Sequence, residues 1–399
     1  MYDRYLDLHA VQHYPPSCLN RGEYNEPKTL TIGNALRAIV SSQNQKRNWR
    51  LELEAELDEP ASRTRMLPPR VAAALREAGW SEELAHFAAG QIARSAIPKG
   101  LDTNPAEGHR TQAMLLVAAE NIVEDLTAVC IRHRPALEKV LSDFTASKDT
   151  KEQDSGKSRS GKKPAAPPAV LPAQEVAACL TRRTATINLF GRMLAGLSDA
   201  EVAGAVQVAP AFTTHNSDLQ PDFFTAVEDW PAPGDKGSAH LDTAFLTTGA
   251  FYRFTTVNIT DLTRNLDGNQ DEALNLVGLF IRAFIMTVPP AKKTSTAPHT
   301  VPDLVAYTVR DRRPVTYAGA FEQPVKAAPY GGYLTPTYQA LDAHAGTLNQ
   351  LIGTAHRIGH GYATARSEDA THLGTRHNGF DDLIDAALKA ATLAPAASA

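Results

Sequence analysis

FLTTGAFYRFTTVNI, residues 245–259, is the stretch on which the fold turns. Phe, Tyr, Thr and Val dominate it with period-two alternation, which predicts a strand. Near the start of the chain, Tyr5 to His13 alternates in the same way. Leu6, Leu8 and Ala10 fall on one face and Asp7, His9 and Val11 on the other, predicting a half-buried strand. Downstream, Leu274, Val277, Ile281, Phe284 and Val288 share one face of an amphipathic helix, and Leu304 to Arg310 reads as another strand. Strand and helix, a long helical insertion, then strand–helix–strand predict an α+β fold with an antiparallel layer of the ferredoxin-like kind.

The inserted block runs from about residue 55 to 183. Ser81 before Glu82 and Glu83 marks a helix start, and a further helix is expected over Thr111 to Ile131, with Leu115, Ala118, Ile122, Leu126 and Val129 on one face. Ile97-Pro98-Lys99-Gly100 is a turn signal between them. Ala146 to Ala169 holds no large aliphatic or aromatic residue, so a mobile surface tract is expected over 146–172. The terminal AATLAPAASA reads as a frayed tail.

The chain of 399 residues has room for one or two domains. Its 43% hydrophobic content allows a substantial core, and a net charge of −4 means that any anion site must be local. Cys18, Cys130 and Cys179 are too dispersed for a disulfide framework or a CxxC zinc site, which fits a reducing cytoplasm. The charged, alternating N-terminus does not resemble a signal peptide, and no apolar run reaches the ~20 residues that span a bilayer.

Two patterns imitate known sites. Gly156 to Lys163 has phosphate-loop spacing, yet Lys163 stands where Ser or Thr must hold magnesium. His356 and His360 are spaced i, i+4 without the Glu of a zinc-protease helix, and His9 and His13 have no third ligand nearby in sequence. No metal, cofactor or catalytic residue is expected from these.

Pro27 to Leu51 carries more information. It contains no acid and five cations: Lys28, Arg37, Lys46, Arg47 and Arg50. A helix from Gln43 to about Leu53, opened by Ser41-Ser42, sets Gln43, Lys46, Arg47 and Arg50 on one face. Such a stripe, beside a positive helix N-terminus, could follow successive phosphates, or it could be a solvated face balanced by Glu52, Glu54 and Glu56. Asn20 and Arg21 lie in the loop after the first strand. Phe223, Phe224 and Trp230 stand in a polar, Pro-punctuated segment, where they could stack on bases or pack back on the domain. Met193 follows Gly191-Arg192.

Taken in order, PSCLNR (16–21), SSQ with KR three residues on (41–47), GRM (191–193), TTH (213–215) and FFTAVED (223–229) resemble the CasC family. GSAHL (237–241), GAFYRF (249–254) and FEQPVKA (321–327) extend the likeness over nearly the whole chain. This is the backbone subunit of the type I-E CRISPR surveillance complex Cascade. The resemblance implies a modified RNA-recognition-motif palm in three pieces (1–54, 184–212 and 249–385), a helical finger at 55–183, a protruding thumb loop at 213–248 and a flexible tail at 386–399. It implies a scaffold rather than an enzyme. Copies stack head to tail on crRNA, kink it with the thumb and display its bases to a target DNA strand. Other Cascade subunits and a recruited helicase-nuclease are further implied partners.

RNA contacts are implied for Asn20, Arg21, Arg37, Ser42, Gln43, Lys46, Arg47, Arg50 and Arg192, a wedge for Met193, and thumb aromatics for Phe223 and Phe224. Phe223 departs from the family's usual Trp. The basic cluster usual before SSQ is reduced here to Arg37. An alternative is an RNA-processing endoribonuclease with His9 or His240 as general base. A third reading makes the 55–183 block a partner-docking helical domain whose lysine tract, within 148–168, touches duplex DNA.

Overall fold

The computed structural model describes residues 3–154, 167–194, 200–230 and 238–393, with the side chains of 147–154, 238 and 239 not described. The phosphate-loop imitation at 156–163 therefore lies outside the described residues, as do much of the 146–172 tract and the last residues of the tail. The chain divides into two units, residues 1–53 with 204–399, and residues 54–203.

The first unit opens with β1 (Arg4–Ser17), β2 (Thr29–Ile32), β3 (Ala35–Val40) and α1 (Ser42–Leu57), the last continuing past the unit boundary. β1 is buried along nearly its whole length, which corrects the half-buried expectation. Several of its polar side chains find partners inside, although Asp7 Oδ1, His9 Nε2 and Ser17 Oγ stay without a hydrogen bond. Asp7 meets Arg310 at 3.0 Å and accepts the Val315 N–H at 2.9 Å, while Gln12 accepts from Arg253 at 2.6 Å. Most buried polar groups need such partners.

The second unit contains β4 (Ala61–Thr64), α2 (Leu67–Glu77), α3 (Glu82–Ser95), β5 (Thr103–Asn104), β6 (Arg110–Thr111) and β7 (Leu115–Ala118). Then come α4 (Ile122–Arg132), α5 (Arg134–Asp154), α6 (Ala173–Thr181) and α7 (Ala185–Phe190). Ser81 caps α3 as its sequence predicts, accepting the Leu84 N–H at 3.3 Å. The helix expected over 111–131 is instead a strand and a shorter helix. Leu115–Ala118 pairs antiparallel with Ala61–Thr64, and Asn121, in the left-handed region at φ 54°, restarts the chain as α4. The 146–172 expectation is corrected at both ends. α5 continues to Asp154, and Leu171 is buried in the core that α2, α3, α4 and α6 share.

The first unit resumes with β8 (Val206–Val208), β9 (Ala211–Thr213), β10 (Gln220–Val227), β11 (Ser238–Asn258), α8 (Ile259–Asn265), α9 (Gln270–Met286) and α10 (Lys293–Thr296). β12 (Leu304–Asp311), α11 (Leu334–Ile352), β13 (Arg357–Thr364), β14 (Thr375–His377) and α12 (Phe380–Thr392) complete it. The sheet order is β14-β13-β12-β1-β11-β9-β3-β2, antiparallel except for β13 with β14. β1 sits between β11 and β12, pairing Leu6 with Val257 and with Val309. α9 buries Ala273, Leu276, Val277, Phe280, Ile281 and Phe284, so Val277, Ile281 and Phe284 of the expected stripe face the core, while Leu274 is half-buried and Val288 lies beyond the helix end. The tail begins later than the composition suggests. α12 runs to Thr392 with Ala387, Ala390 and Ala391 buried, and Arg4 donates to the Ala391 carbonyl at 2.6 Å.

Candidate nucleic-acid interface

α1 has two contrasting faces. Inward, Gln45, Asn48, Trp49 and Leu53 are buried. Trp49 meets Phe280 edge-on at 5.5 Å and Phe284 at 5.6 Å, fixing the helix on α9. Gln45 donates to the carbonyls of Val40 at 3.1 Å and Ala209 at 2.9 Å. Outward, Gln43 and Arg47 are exposed, and Lys46 and Arg50 are half-buried. Burial lowers the pKa of the Lys46 ammonium. Arg50 has an interaction within the protein.

The start of α1 is held by the loop that follows β1. Ser41 is the cap, its hydroxyl accepting the Asn44 N–H at 3.3 Å, and Ser42 is the first helical residue. The Asn20 side-chain carbonyl accepts the Ser41 N–H at 2.9 Å, and the Asn20 backbone carbonyl accepts the Lys28 N–H at 2.7 Å. Asn20 thus positions the loop, and the amides of the first α1 turn keep no intrahelical acceptor. Arg21, next to it, is exposed, with only a long 3.4 Å bond to Asn25.

Sequence reasoning missed Lys292. Its charge and that of Arg21 both act on the buried Cys18 thiol, opposing the upward pKa shift that burial causes. The Lys292-Lys293 pair after Pro289-Pro290 was the available signal.

Two expected contacts are corrected. Arg37 is fully buried, donating to the carbonyls of Thr213 at 2.9 Å, Phe321 at 3.0 Å and Glu322 at 3.4 Å. Arg192, 4% exposed, holds the carbonyls of Ala200, Arg182 and Thr181 at 2.7, 2.6 and 2.8 Å. Guanidinium groups spent on buried carbonyls are structural and not available to a ligand. Arg192 does fix its neighbour, because its backbone bridges Val202 in both directions at 2.9 Å. Met193, in the second unit, stands 83% exposed on that support.

The aromatic segment does not pack back. β10 and the first half of β11 form an antiparallel ribbon in which every β10 residue is exposed. Phe223 lies opposite Thr243 and Phe224 opposite Asp242, so the two rings point to opposite faces. Phe223 shares its face with Leu241 and Phe245, whereas Phe224 shares its face with Asp222, Asp242 and His240. Trp230 is 90% exposed at the ribbon's far end.

His9 is fully buried, its ring stacked on Tyr317 at 4.2 Å and its Nδ1 2.9 Å from the Tyr252 hydroxyl. Burial depresses its pKa to about 3. A ring sealed in the sheet core cannot reach an RNA 2′-hydroxyl, which withdraws it as a general base. His240 lies on the exposed ribbon. His356 bonds Asp311 at 2.7 Å, and among the described residues no group of three or more His, Cys, Asp or Glu side chains could hold a metal ion. Among them too, no helix is long and apolar enough to cross a membrane.

An antiparallel sheet clad by helices, with a separate unit built mainly of helices, defines an α+β protein. The chain belongs to the family described as CT1975-like protein, a CRISPR-associated family whose pattern matches residues 6–386. It is similar at 36% identity and a TM-score of 0.84 to a chain of the structure described as "CRISPR RNA-guided surveillance complex, pre-nicking", over 97% of this chain and 100% of that one. A second, described as "CRISPR RNA-guided surveillance complex", is 33% identical with a TM-score of 0.74, over 97% and 99%. No curated protein matches the chain.

Proposed function

We propose that this chain is the non-enzymatic backbone subunit of a type I-E CRISPR surveillance complex, a CasC-like protein that binds crRNA. Copies stack head to tail, hold the guide's phosphates along α1 and its adjoining loop, and leave base edges free for a target DNA strand. Other Cascade subunits and a helicase-nuclease join the assembled particle. The similarity to chains of RNA-guided surveillance complexes supports the setting.

The order of elements supports an RNA-recognition-like palm. β1, α1, β9, β11, α9 and β12 come in that order as βαββαβ, with other elements between them, and β12-β1-β11-β9 are adjacent in the sheet. The observation that carries the RNA reading is α1 itself. Its apolar side is locked by Trp49, so its outer face offers Gln43, Lys46 and Arg47 in fixed register, with Arg21 next to the Asn20 that holds the helix start. Holding a backbone in this way needs no base readout, because pairing supplies the specificity. The ribbon then acts as the thumb, and with its two rings on opposite faces only one can meet a given base step. The His9 environment supports a scaffold in preference to a ribonuclease.

Purification of the chain with its natural partners, followed by a denaturing gel of the nucleic acid it retains, tests this reading. A discrete small RNA is expected. A preparation free of RNA, with guide precursor supplied, would overturn it.

A further inference from the structure

The second unit has an acid-free stretch of its own. Pro60 to Arg76 contains Arg63, Arg65, Arg70 and Arg76 and no carboxylate. Arg76 is paired with Glu82 at 2.7 Å. Arg63, Arg65 and Arg70 are exposed, and among the described residues they have no ion-pair partner. Arg65 borders an open depression of about 380 Å³, lined also by Arg110, Asn104, Gln112 and Glu107.

The depression is rigidly built. The Arg65 carbonyl accepts the Thr111 N–H at 3.0 Å, and β5 pairs with β6 through Thr103 with Thr111 and Asn104 with Arg110. The turn between them ends on Gly108 and His109, both left-handed at φ 65° and 62°. His109 is held there by Thr103 at 3.2 Å, by the His86 ring at 4.5 Å and by Gly90, where a Cβ would come within 2.7 Å of its ring. A non-glycine residue stays in that conformation only where its surroundings impose it.

We propose that this depression is a phosphate site for a nucleic-acid strand, distinct from the α1 edge. Guanidinium forks match phosphate oxygens, and Arg65 and Arg110 bring two of them to one wall. Glu107, bonded to Arg110 at 2.7 Å, is the only carboxylate in the described lining, so the wall keeps a net positive charge. Gln112 and Asn104 supply amides that can meet a sugar or base edge. Arg63 and Arg70, exposed within seven residues of Arg65 in the same acid-free stretch, add cations outside the lining, which suits a polymer better than a small anion. This site stands whether or not α1 binds the guide.

The test uses the full chain and two labelled probes of unrelated sequence, a single-stranded DNA 20-mer and a 20-base-pair duplex, across a salt series. Arg65→Ala with Arg110→Ala is expected to weaken at least one probe fivefold or more. It should also lower the log K against log salt slope by about 1.4 for the single strand or about 1.8 for the duplex. The probe that responds identifies the kind of strand bound. Glu107→Gln, which frees Arg110, is expected to tighten binding of that probe. Lys46→Ala with Arg47→Ala reports the α1 edge separately. Unchanged affinity for both probes in the arginine variant, or a loss without a change in slope, overturns the proposal.

Discussion

Removing Arg21, Lys46 and Arg47 together, each to alanine, isolates the phosphate-holding claim. Arg21 and Arg47 are exposed, and Lys46 is half-buried at the rim. Arg50 is left in place because it has an interaction within the protein. Each cation that neutralises a single-strand phosphate contributes about 0.7 to the log K against log salt slope, so three contribute about 2. Raising salt from roughly 0.05 to 0.15 M should therefore weaken wild-type binding about tenfold more than variant binding. Fluorescence anisotropy with two RNAs of unrelated sequence measures this directly. Both RNAs should lose affinity alike, because backbone contacts carry no sequence information. Parallel salt plots for wild type and variant would refute the reasoning, since the cations would then not be releasing counterions from RNA.

Arg37→Met should cost about 2–4 kcal/mol in urea unfolding, because buried carbonyls lose their donor, while leaving the salt slope unchanged. Trp49→Ala should cost about 3–5 kcal/mol and also weaken RNA binding, since it releases the inner face of α1. Phe223→Ala and Phe224→Ala should each change stability by less than about 0.5 kcal/mol, as exposed substitutions do. Their effects on chemical probing of bound RNA should differ, the rings being on opposite faces. His9 is neutral in the fold, with its pKa lowered to about 3, so its contribution is complete above pH ~6.5 and is lost as pH falls towards 3. The stability of His9→Leu relative to wild type should accordingly rise by about 2 kcal/mol between pH 7 and pH 5, measured by denaturant titration.

Much of the sheet is legible in the sequence because β-branched and aromatic runs are bounded by turn residues. Leu304–Arg310 is the clearest case, falling within β12. β1 shows the limit of alternation. Asp7 and His9 look solvent-facing, yet each finds a partner on a strand or segment far away in the chain. The strand at Leu115–Ala118 is hidden because Leu115, Ala118 and Ile122 happen to fall at helical spacing, and only pairing with Ala61–Thr64 reveals it. Within the candidate site, the α1 stripe follows from spacing alone. What spacing cannot give is which arginines are already engaged. Arg37 and Arg192 look identical in sequence to Arg47, but backbone carbonyls claim them, from distant residues for Arg37 and from within about a dozen residues for Arg192. The division of Phe223 and Phe224 between faces follows from the ribbon, which composition could not distinguish from a loop.

The measurement that bears most directly on the account is the number of protein copies carried by RNAs of increasing length, read by mass photometry or sedimentation in the presence of the natural partner subunits. A subunit that stacks head to tail along a backbone should add copies in regular steps as the RNA lengthens. One copy per RNA at every length would contradict it.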